Sequence, residues 1–226
     1  MCRLAMKTAN KPFSPFTVLT AMEAMQEGYD GSGLGLLLRG LEFTDYKYNA
    51  ADPILSGIAH TEEALARVDT MMTERGFALK YDHEFDVDMS KVEAKDRFKY
   101  MLRVYNKPKD WSSLSQEEGE REYMMTRLAM RADGEAHNAD LTAFSLWPDV
   151  AMLKEVGWPL GVGEALGLER CRSKSLVGMA HGRQNTNWGI NLYACHPFVI
   201  EGVVTMTNGE NTAFIPIKDW LTGKNF

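Results

Sequence analysis

The pattern of apolar and polar positions predicts a strand, a helix and a second strand in the first forty residues. Residues 2–6 are typical of a short strand, and Ser14 followed by Pro15 is typical of a helix N-terminus. Apolar residues then recur at helical spacing and predict a helix of about three turns that ends near Gly28. These residues are Val18, Met22 and Met25. The apolar run at residues 33–39 predicts a strand that is buried on both faces.

From residue 41 to residue 175 the pattern changes to alternating helices and short strands. The clearest helix follows Thr61, because two glutamates stand in its first turn and apolar residues recur on one side. These apolar residues are Leu65, Val68 and Met72. We therefore expect one α+β domain over residues 1–226, with a long α/β insertion at about 41–175.

Two further patterns in the middle of the chain predict a helix and a hairpin. Ser90 and Glu93 have the spacing of a capping box, which predicts a helix that includes Val92, Phe98 and Leu102. Residues 138–156 predict two strands joined as a hairpin at residues 147–149.

The last third of the chain is predicted to contain short helices and strands. Residues 162–168 and 217–221 are typical of short helices, whereas the apolar runs at 176–180 and 199–207 have strand length.

The composition is that of a globular protein. The chain has 226 residues, 45% of them apolar, and a net charge of −6, which argues against a general nucleic-acid coat. Its apolar runs are far shorter than the roughly 20 residues of a membrane span, and Lys7 and Pro12 interrupt any signal peptide. The three cysteines, Cys2, Cys171 and Cys195, have neither disulfide-framework nor metal-site spacing, so we expect a reducing, cytoplasmic location and no metal.

Cys2 is notable because it directly follows the initiator methionine. Removal of Met1 would leave a thiol and a free α-amine on one residue, and such an amine has an ordinary pKa of about 7.7–8.0. The same residue could then act as nucleophile and general base. The alternative is that Cys2 is an ordinary second residue.

Three other features could carry chemistry, and each also has a purely structural explanation. The glycine-rich turn at residues 28–33 can approach a ligand closely or can simply supply positive φ angles. Arg183, just beyond an apolar run, can bind a carboxylate or form a surface ion pair. Asn208 and Gly209 can donate hydrogen bonds to an oxyanion or form a hairpin turn.

Taken in chain order, these motifs resemble class II glutamine amidotransferases, whose nucleophile is a cysteine at the mature N-terminus. The matching segments are Met1-Cys2, residues 28–33, His181-Gly182-Arg183, His196-Pro197-Phe198 and Asn208-Gly209-Glu210. The spacing is most similar to the glutaminase domain of glutamate synthase in its archaeal-type, separately encoded form. There a His-Thr-Arg-Tyr-Pro-Thr-Asn segment leads to His-Pro-Phe and then to Val-His-Asn-Gly-Glu.

The resemblance implies an N-terminal-nucleophile hydrolase fold, an αββα sandwich. Cys2 would be the nucleophile, Arg183 and Thr186 would bind the glutamine α-carboxylate, and Asn208 and Gly209 would form the oxyanion hole. The ammonia released would pass to a glutamate-synthase-type flavoprotein. The resemblance implies no cofactor in this chain, and an FMN and an iron–sulfur cluster would belong to that partner.

The sequence also departs from the family pattern. Arg3, Gly182, Gln184 and Thr207 stand where the family commonly has Gly, Thr, an aromatic residue and His. The acidic residue that binds the glutamine amino group would lie beyond the last residue. We therefore expect that the C-terminal part of the domain is missing, that a partner supplies the acid, or that glutamine binding is impaired.

Two alternative functions remain open. The chain could be a class II amidotransferase with another ammonia acceptor, such as a sugar phosphate or phosphoribosyl pyrophosphate. It could also be a non-catalytic, glutamine-sensing regulatory subunit. Cys171 and Cys195 are interpreted as bystander thiols, and the scattered residues His60, His83 and His137 as surface or core histidines.

Overall fold

The computed structural model describes most of the chain, and the account below is confined to that part. The described residues are 2–25, 31–43, 45–47, 49–88, 90, 97–170, 172–173, 176–184, 192, 195–200, 202–209 and 213–224. The strands are β1 (Arg3–Thr8), β2 (Leu34–Leu38), β3 (Leu41–Glu42), β4 (Pro53–Ala59), β5 (Ala78–Asp82), β6 (Lys99–Asn106), β7 (Leu141–Pro148), β8 (Ala151–Glu155), β9 (Arg172–Ser173), β10 (Val177–Gly182), β11 (Phe198–Ile200) and β12 (Val203–Thr205). The helices are α1 (Phe16–Glu23), α2 (Glu62–Glu74), α3 (Gln116–Ala136), α4 (Pro159–Ala165) and α5 (Phe214–Thr222). Mixed helices and antiparallel sheets confirm the α+β class.

The first sheet has the strand order β1-β10-β2-β8, and all neighbouring strands are antiparallel. Each of the five residues of β2 is buried, which confirms the prediction from its apolar run. Helix α1 covers one face, where Val18 and Phe13 pack onto Gly178 of β10. Helix α4 lies beside α1, and Leu19 contacts Gly163 there.

The second sheet has the order β5-β6-β4-β7 and is also antiparallel. Its strands alternate between two hydrophobic clusters, as the two-residue period of a strand requires. One face packs on α2 and α3 through Leu55, Ala59, Met101 and Tyr105. The opposite face joins the core of the first sheet through Ile54, Ile58, Tyr100, Leu102 and Val104.

The predicted insertion at residues 41–175 contributes to both sheets. The whole second sheet comes from this stretch, and so does β8, which pairs with β2 at the edge of the first sheet. Two smaller antiparallel pairs, β3 with β9 and β11 with β12, complete the described strands.

The predicted helix over Val92, Phe98 and Leu102 is wrong where it can be examined. Leu102 lies in β6, and Phe98 stands just before that strand and is exposed. The capping-box residue Glu93 and Val92 lie outside the described residues. Pairing of β6 with both β4 and β5 overrides the local helical spacing, because each residue of this central strand gains packing on two faces.

The predicted hairpin at residues 138–156 is wrong in its pairing. Both strands exist, but β7 pairs with β4 in the second sheet and β8 pairs with β2 in the first. Asp149, between them, has φ 57°. Its carboxylate accepts a hydrogen bond from the Gly40 amide at 2.5 Å and contacts the Arg39 guanidinium at 3.2 Å. These contacts tie the turn to the end of β2, so the chain crosses from one sheet to the other.

Most of the remaining element predictions are confirmed with shifted ends. Thr61 caps α2 by accepting a hydrogen bond from the Ala64 amide at 3.0 Å. Helix α1 begins at Phe16 and ends at Glu23, whereas Gly28 lies outside the described residues. The single strand predicted over 199–207 is instead the pair β11 and β12, which turns at Gly202 with φ 75°. In the part of the chain that the structure describes, the helices are too short or too polar to cross a membrane.

Candidate functional site

Cys2 and Arg183 lie at the same end of the first sheet. The register pairs Arg3 with Gly182 across β1 and β10, so Cys2 stands one residue beyond β1 opposite Arg183, one residue beyond β10. The Arg183 amide donates a hydrogen bond to the Gly33 carbonyl at 2.8 Å, which brings the end of the glycine-rich turn next to Arg183. The hydroxyl of Ser32 also donates to the Arg183 carbonyl at 2.8 Å. Cys2, Arg183 and Gly33 therefore follow one another across the strand ends.

A second row of residues lies two positions further into the sheet and on the same face. The register places Leu4, His181, Gly35 and Lys154 side by side across all four strands. Because side chains alternate along a strand, this row points to the same side as the row of Cys2, Arg183 and Gly33. The candidate site is thus a two-row patch on one face of the first sheet.

The segment Cys195-His196-Pro197 covers this patch at very short range. A Cβ atom added to Gly33 would lie 2.3 Å from the Cys195 Sγ, and one added to Gly35 would lie 1.9 Å from the His196 carbonyl oxygen. Side chains at positions 33 and 35 are therefore incompatible with the observed packing. The absence of both side chains lets the Cys195–Pro197 backbone reach the sheet.

Lys154, in β8, anchors the same segment from the side of the sheet. Its side chain is only 3% exposed, and its ammonium donates a hydrogen bond to the Cys195 carbonyl. The ammonium also lies over two aromatic rings, 4.6 Å from the centroid of Phe198 and 5.6 Å from that of Phe144. Burial lowers the pKa of Lys154 to about 8, against its ordinary 10.5.

Two histidines meet between the sheet and the covering segment. The rings of His181 and His196 are 5.0 Å apart and nearly perpendicular. His181 is almost fully buried, and neither of its ring nitrogens has a hydrogen-bond partner among the described residues. Burial is the main cause that lowers the pKa of His181 to about 4, and electrostatic interactions with His196, Lys154 and Arg183 contribute to the same shift. His181 is therefore a neutral imidazole at physiological pH.

The covering segment also connects to Asn208. The Nε2 atom of His196 lies 3.4 Å from the Thr207 hydroxyl, and Asn208 is the next residue. Asn208 and Gly209 are both exposed, and among the described residues other than its chain neighbours no atom lies within 4 Å of the position that a Cβ would occupy on Gly209. The backbone after β12 thus returns towards the sheet and leaves open space beside Gly209.

The structure brings together some of the sequence-predicted site residues. Cys2 and Arg183 are adjacent in the register, and both are partly exposed. In the part of the chain that the structure describes, Asn208 and Gly209 are linked to the patch through Thr207 and His196. Thr186 lies outside the described residues.

Two residues of the patch escaped the sequence reasoning. Cys195 was interpreted as a bystander thiol, yet its sulfur packs on Gly33, and its pKa is raised to about 11. Burial is the main cause of this rise, Lys154 and Arg183 oppose it, and the nearby Cys2 adds to it. Lys154 belongs to no motif, and its one signal in the sequence is that it directly follows the apolar residues Ala151, Met152 and Leu153.

The structure also explains why a bulky residue is tolerated at position 3. Because Arg3 alternates with Cys2 and Leu4, its side chain points to the opposite face of the sheet. Its Nε donates a hydrogen bond to the Met25 carbonyl at 2.5 Å, just beyond the end of α1. A cation near a helix C-terminus interacts favourably with the helix dipole. Arg3 thus lies on the helix side of the sheet rather than in the patch.

The described residues contain no group of three His, Cys, Asp or Glu side chains that could hold a metal ion. A small pocket does occur elsewhere, between α3, β7 and β11, but Cys2 does not line it. Its lining includes Met124, Arg127, Ser145 and Val199.

Comparison of the chain with models of known protein families and with curated proteins finds no match to either.

Proposed function

We propose that the protein is a class II glutamine amidotransferase, a glutaminase that hydrolyses glutamine to glutamate and supplies ammonia to a partner. The observation that carries the proposal is the adjacency of Cys2 and Arg183 at one end of the first sheet. An N-terminal thiol beside a guanidinium is the arrangement that a small amino-acid substrate requires, because one group reacts while the other holds a carboxylate.

Each step of the proposed reaction uses a group of this chain. After removal of Met1, the α-amine of Cys2 accepts the thiol proton, and the sulfur attacks the carboxamide carbon of glutamine. The proton then passes to the leaving nitrogen, which departs as ammonia and leaves a γ-glutamyl thioester. Water attacks this thioester, and hydrolysis yields glutamate and the free thiol.

Arg183 binds the α-carboxylate of glutamine in this proposal, with help from Thr186. The side-chain amide of Asn208 and the backbone amide of Gly209 donate to the oxyanion that forms on the carboxamide oxygen. The open space beside Gly209 is compatible with a substrate atom there.

The same proposal extends to the fold and the partner. A sheet with Cys2 at a strand end, helices on one face and the β11–β12 pair connected to the covering segment on the other supports an N-terminal-nucleophile αββα sandwich. The partner is a glutamate-synthase-type flavoprotein in the cytoplasm, and any FMN or iron–sulfur cluster belongs to it.

A second candidate function is a glutamine-sensing regulatory subunit that binds glutamine without turnover. One observation favours it: Asn208 and Gly209 are exposed, and the hydrogen-bond contact that connects them to the patch among the described residues is long, at 3.4 Å. An oxyanion hole needs donors at about 2.7–3.1 Å from the developing charge, so loosely held donors would catalyse poorly.

The decisive experiment compares Cys2→Ala with the matched variant Cys171→Ala. We expect Cys2→Ala to lose glutamine hydrolysis by at least about a thousandfold, since the thiol is the proposed nucleophile. Alanine at position 2 still permits removal of Met1, so the α-amine remains. Cys171→Ala should keep the wild-type rate, measured as ammonia released from glutamine.

Two measurements complete the test. Mass spectrometry should find that Met1 is absent, and a glutamine-like diazoketone should modify Cys2 and neither Cys171 nor Cys195. Hydrolysis by Cys2→Ala at the wild-type rate would show that the nucleophile is another group. If the wild type and Cys2→Ala both bound glutamine and neither hydrolysed it, the sensing function would be favoured.

A further inference from the structure

Lys154 is a buried cation, and the strand in which it lies does not require a lysine at this position. It stands in β8 between Leu153 and Glu155, and its side chain points to the face that carries the candidate site. Moving an ammonium out of water costs several kcal/mol unless polar groups compensate for the lost hydration. Among the described residues no carboxylate forms an ion pair with Lys154. The compensation comes from one carbonyl and two aromatic rings.

That carbonyl belongs to Cys195, the first residue of the covering segment. The contact therefore joins the strand β8 to residues that are far away in sequence and lie over Gly33 and Gly35. Phe198, whose ring receives the same ammonium at 4.6 Å, is the first residue of β11. Lys154 thus contacts the first residue of the covering segment and the residue that directly follows this segment.

The covering segment in turn contacts the residue before Asn208. The His196 ring packs against His181 on the sheet side and reaches the Thr207 hydroxyl at 3.4 Å on the other side. Movement of the segment away from the sheet would carry His196 with it. Thr207, and with it Asn208 and Gly209, would lose their described link to the end of the sheet that bears Cys2.

We propose that Lys154 is a positioning residue, which acts through the Cys195 carbonyl and His196 to hold Asn208 and Gly209 over Cys2. This inference rests on the proposed glutaminase function and adds to it a residue that none of the motifs contains. Lys154 does not touch the substrate in this arrangement, so its removal should impair the alignment of the oxyanion donors and leave the nucleophile intact.

The first test replaces Lys154 by methionine, which keeps the apolar stem between the two rings and removes the donor. We expect kcat for glutamine hydrolysis to fall about 10- to 100-fold with KM changed less than about twofold, because small displacements of catalytic groups cost rates of this order. Alkylation of Cys2 by iodoacetamide should proceed at the wild-type rate. An unchanged kcat would overturn the proposal.

A matched control separates positioning from stability. Arg103, another buried cation, lies in β6 of the second sheet and pairs with Asp69 and Asp82. Arg103→Met should lower the melting temperature while kcat per folded molecule stays at the wild-type value. If Lys154→Met behaved in the same way, Lys154 would have only a structural role and the positioning proposal would fail.

A second variant serves if Lys154→Met does not fold. Thr207 is exposed, and Thr207→Val removes the hydroxyl that meets His196 while keeping the shape of the side chain. We expect a fall in kcat of about 3- to 10-fold at constant KM, in line with the modest net energy of one hydrogen bond. Thr205→Val, two residues earlier in β12, is the matched control and should be neutral. Equal rates for both threonine variants would contradict the proposed route.

Hydrogen exchange tests the anchoring without any activity assay. Amides in residues 195–200 should exchange faster in Lys154→Met than in the wild type, whereas amides in β6 should not change. Unchanged exchange would overturn the proposal. Cys2→Ala, measured in parallel, reports on the proposed function itself: if it hydrolyses glutamine normally, the nucleophile assignment fails, and exchange alone then decides the anchoring.

Discussion

At the scale of single residues, the candidate site depends on two glycines, whose lack of a side chain leaves room for the covering segment. Gly33 and Gly35 admit the sulfur of Cys195 and the carbonyl of His196 to positions that any Cβ would occupy. Glycine at position 33 also adopts φ 157°, which side-chain-bearing residues rarely adopt. The site is therefore sensitive to additions of one carbon atom.

The corresponding prediction compares two Gly→Ala substitutions. Gly33→Ala should lower the free energy of unfolding by about 1–3 kcal/mol, because the new methyl group would overlap the Cys195 sulfur at 2.3 Å. Gly119→Ala, in α3, should be neutral or raise it by up to about 1 kcal/mol, since a methyl group there meets no described atom within 4 Å outside its own helix backbone and alanine favours helix. Urea denaturation measures both. Equal effects at the two positions would contradict the packing described for Gly33.

The sequence pointed to some residues of the site and missed others for a physical reason. Cys2 and Arg183 were found because their chemistry is unusual at those positions in a motif. Lys154 and Cys195 were missed because their importance comes from the partners they meet, and those partners are distant in sequence. A lysine that follows an apolar run gives no sign that it is buried until its neighbours in the fold are known.

At the scale of elements, β8 is the strand that ties the two sheets together. Lys154 points to the covering segment, whereas the adjacent Glu155 points to the other face and is fully buried. Glu155 forms a two-pronged ion pair with Arg97, at 3.0 and 3.1 Å, and accepts a hydrogen bond from Tyr100 of β6. The Val156 amide also donates to Glu155, at 2.7 Å. Buried polar contacts of this kind join the first sheet to the second.

The buried contacts of Glu155 predict that the same Glu→Gln substitution has very different effects at two positions. Glu155→Gln should lower the free energy of unfolding by about 3–5 kcal/mol, because it removes the charge of a fully buried carboxylate that binds the Arg97 guanidinium at two points. Glu135→Gln, which removes an exposed partner of Arg131 in α3, should change it by less than about 0.5 kcal/mol. Chemical denaturation at neutral pH compares them. A loss below about 1 kcal/mol for Glu155→Gln would contradict a structural role for these contacts.

The element predictions failed where tertiary pairing outweighed local pattern. Leu102 has helical spacing from Phe98 but lies in the central strand β6, which gains hydrogen bonds from two neighbours. The turn at Trp147–Asp149 resembled a hairpin, yet Asp149 binds the Gly40 amide and so redirects the chain to the other sheet. Local propensity is worth less than a full set of pairing and burial contacts.

At the scale of the whole molecule, the buried His181 makes the free energy of unfolding depend on pH. Its pKa is lowered to about 4 in the folded protein, whereas the unfolded chain has an ordinary value near 6.5. Between these pH values the unfolded state binds a proton that the folded state does not bind. The contribution of His181 to the free energy of unfolding is therefore constant above pH 6.5 and falls by roughly 3 kcal/mol as the pH decreases to 4.

Urea unfolding at several pH values from 7 to 4 tests this prediction. The wild type should lose stability more steeply than His181→Phe, which cannot bind a proton at that position. Parallel curves for the wild type and His181→Phe would show that His181 does not titrate differently in the two states.

The sequence by itself determined the α+β class, the start of α2 at its threonine cap, the buried strand β2 and the unusual chemistry of Cys2 and Arg183, because each of these depends on neighbours along the chain. The tertiary structure decided which strands pair, that β7 and β8 belong to different sheets, and that Gly33, Lys154 and Cys195 meet at one end of the first sheet. These contacts join residues that are distant in sequence, from 41 positions for Lys154 and Cys195 to more than a hundred for Gly33 and Cys195, and their energies exist only once both partners are buried in the same core.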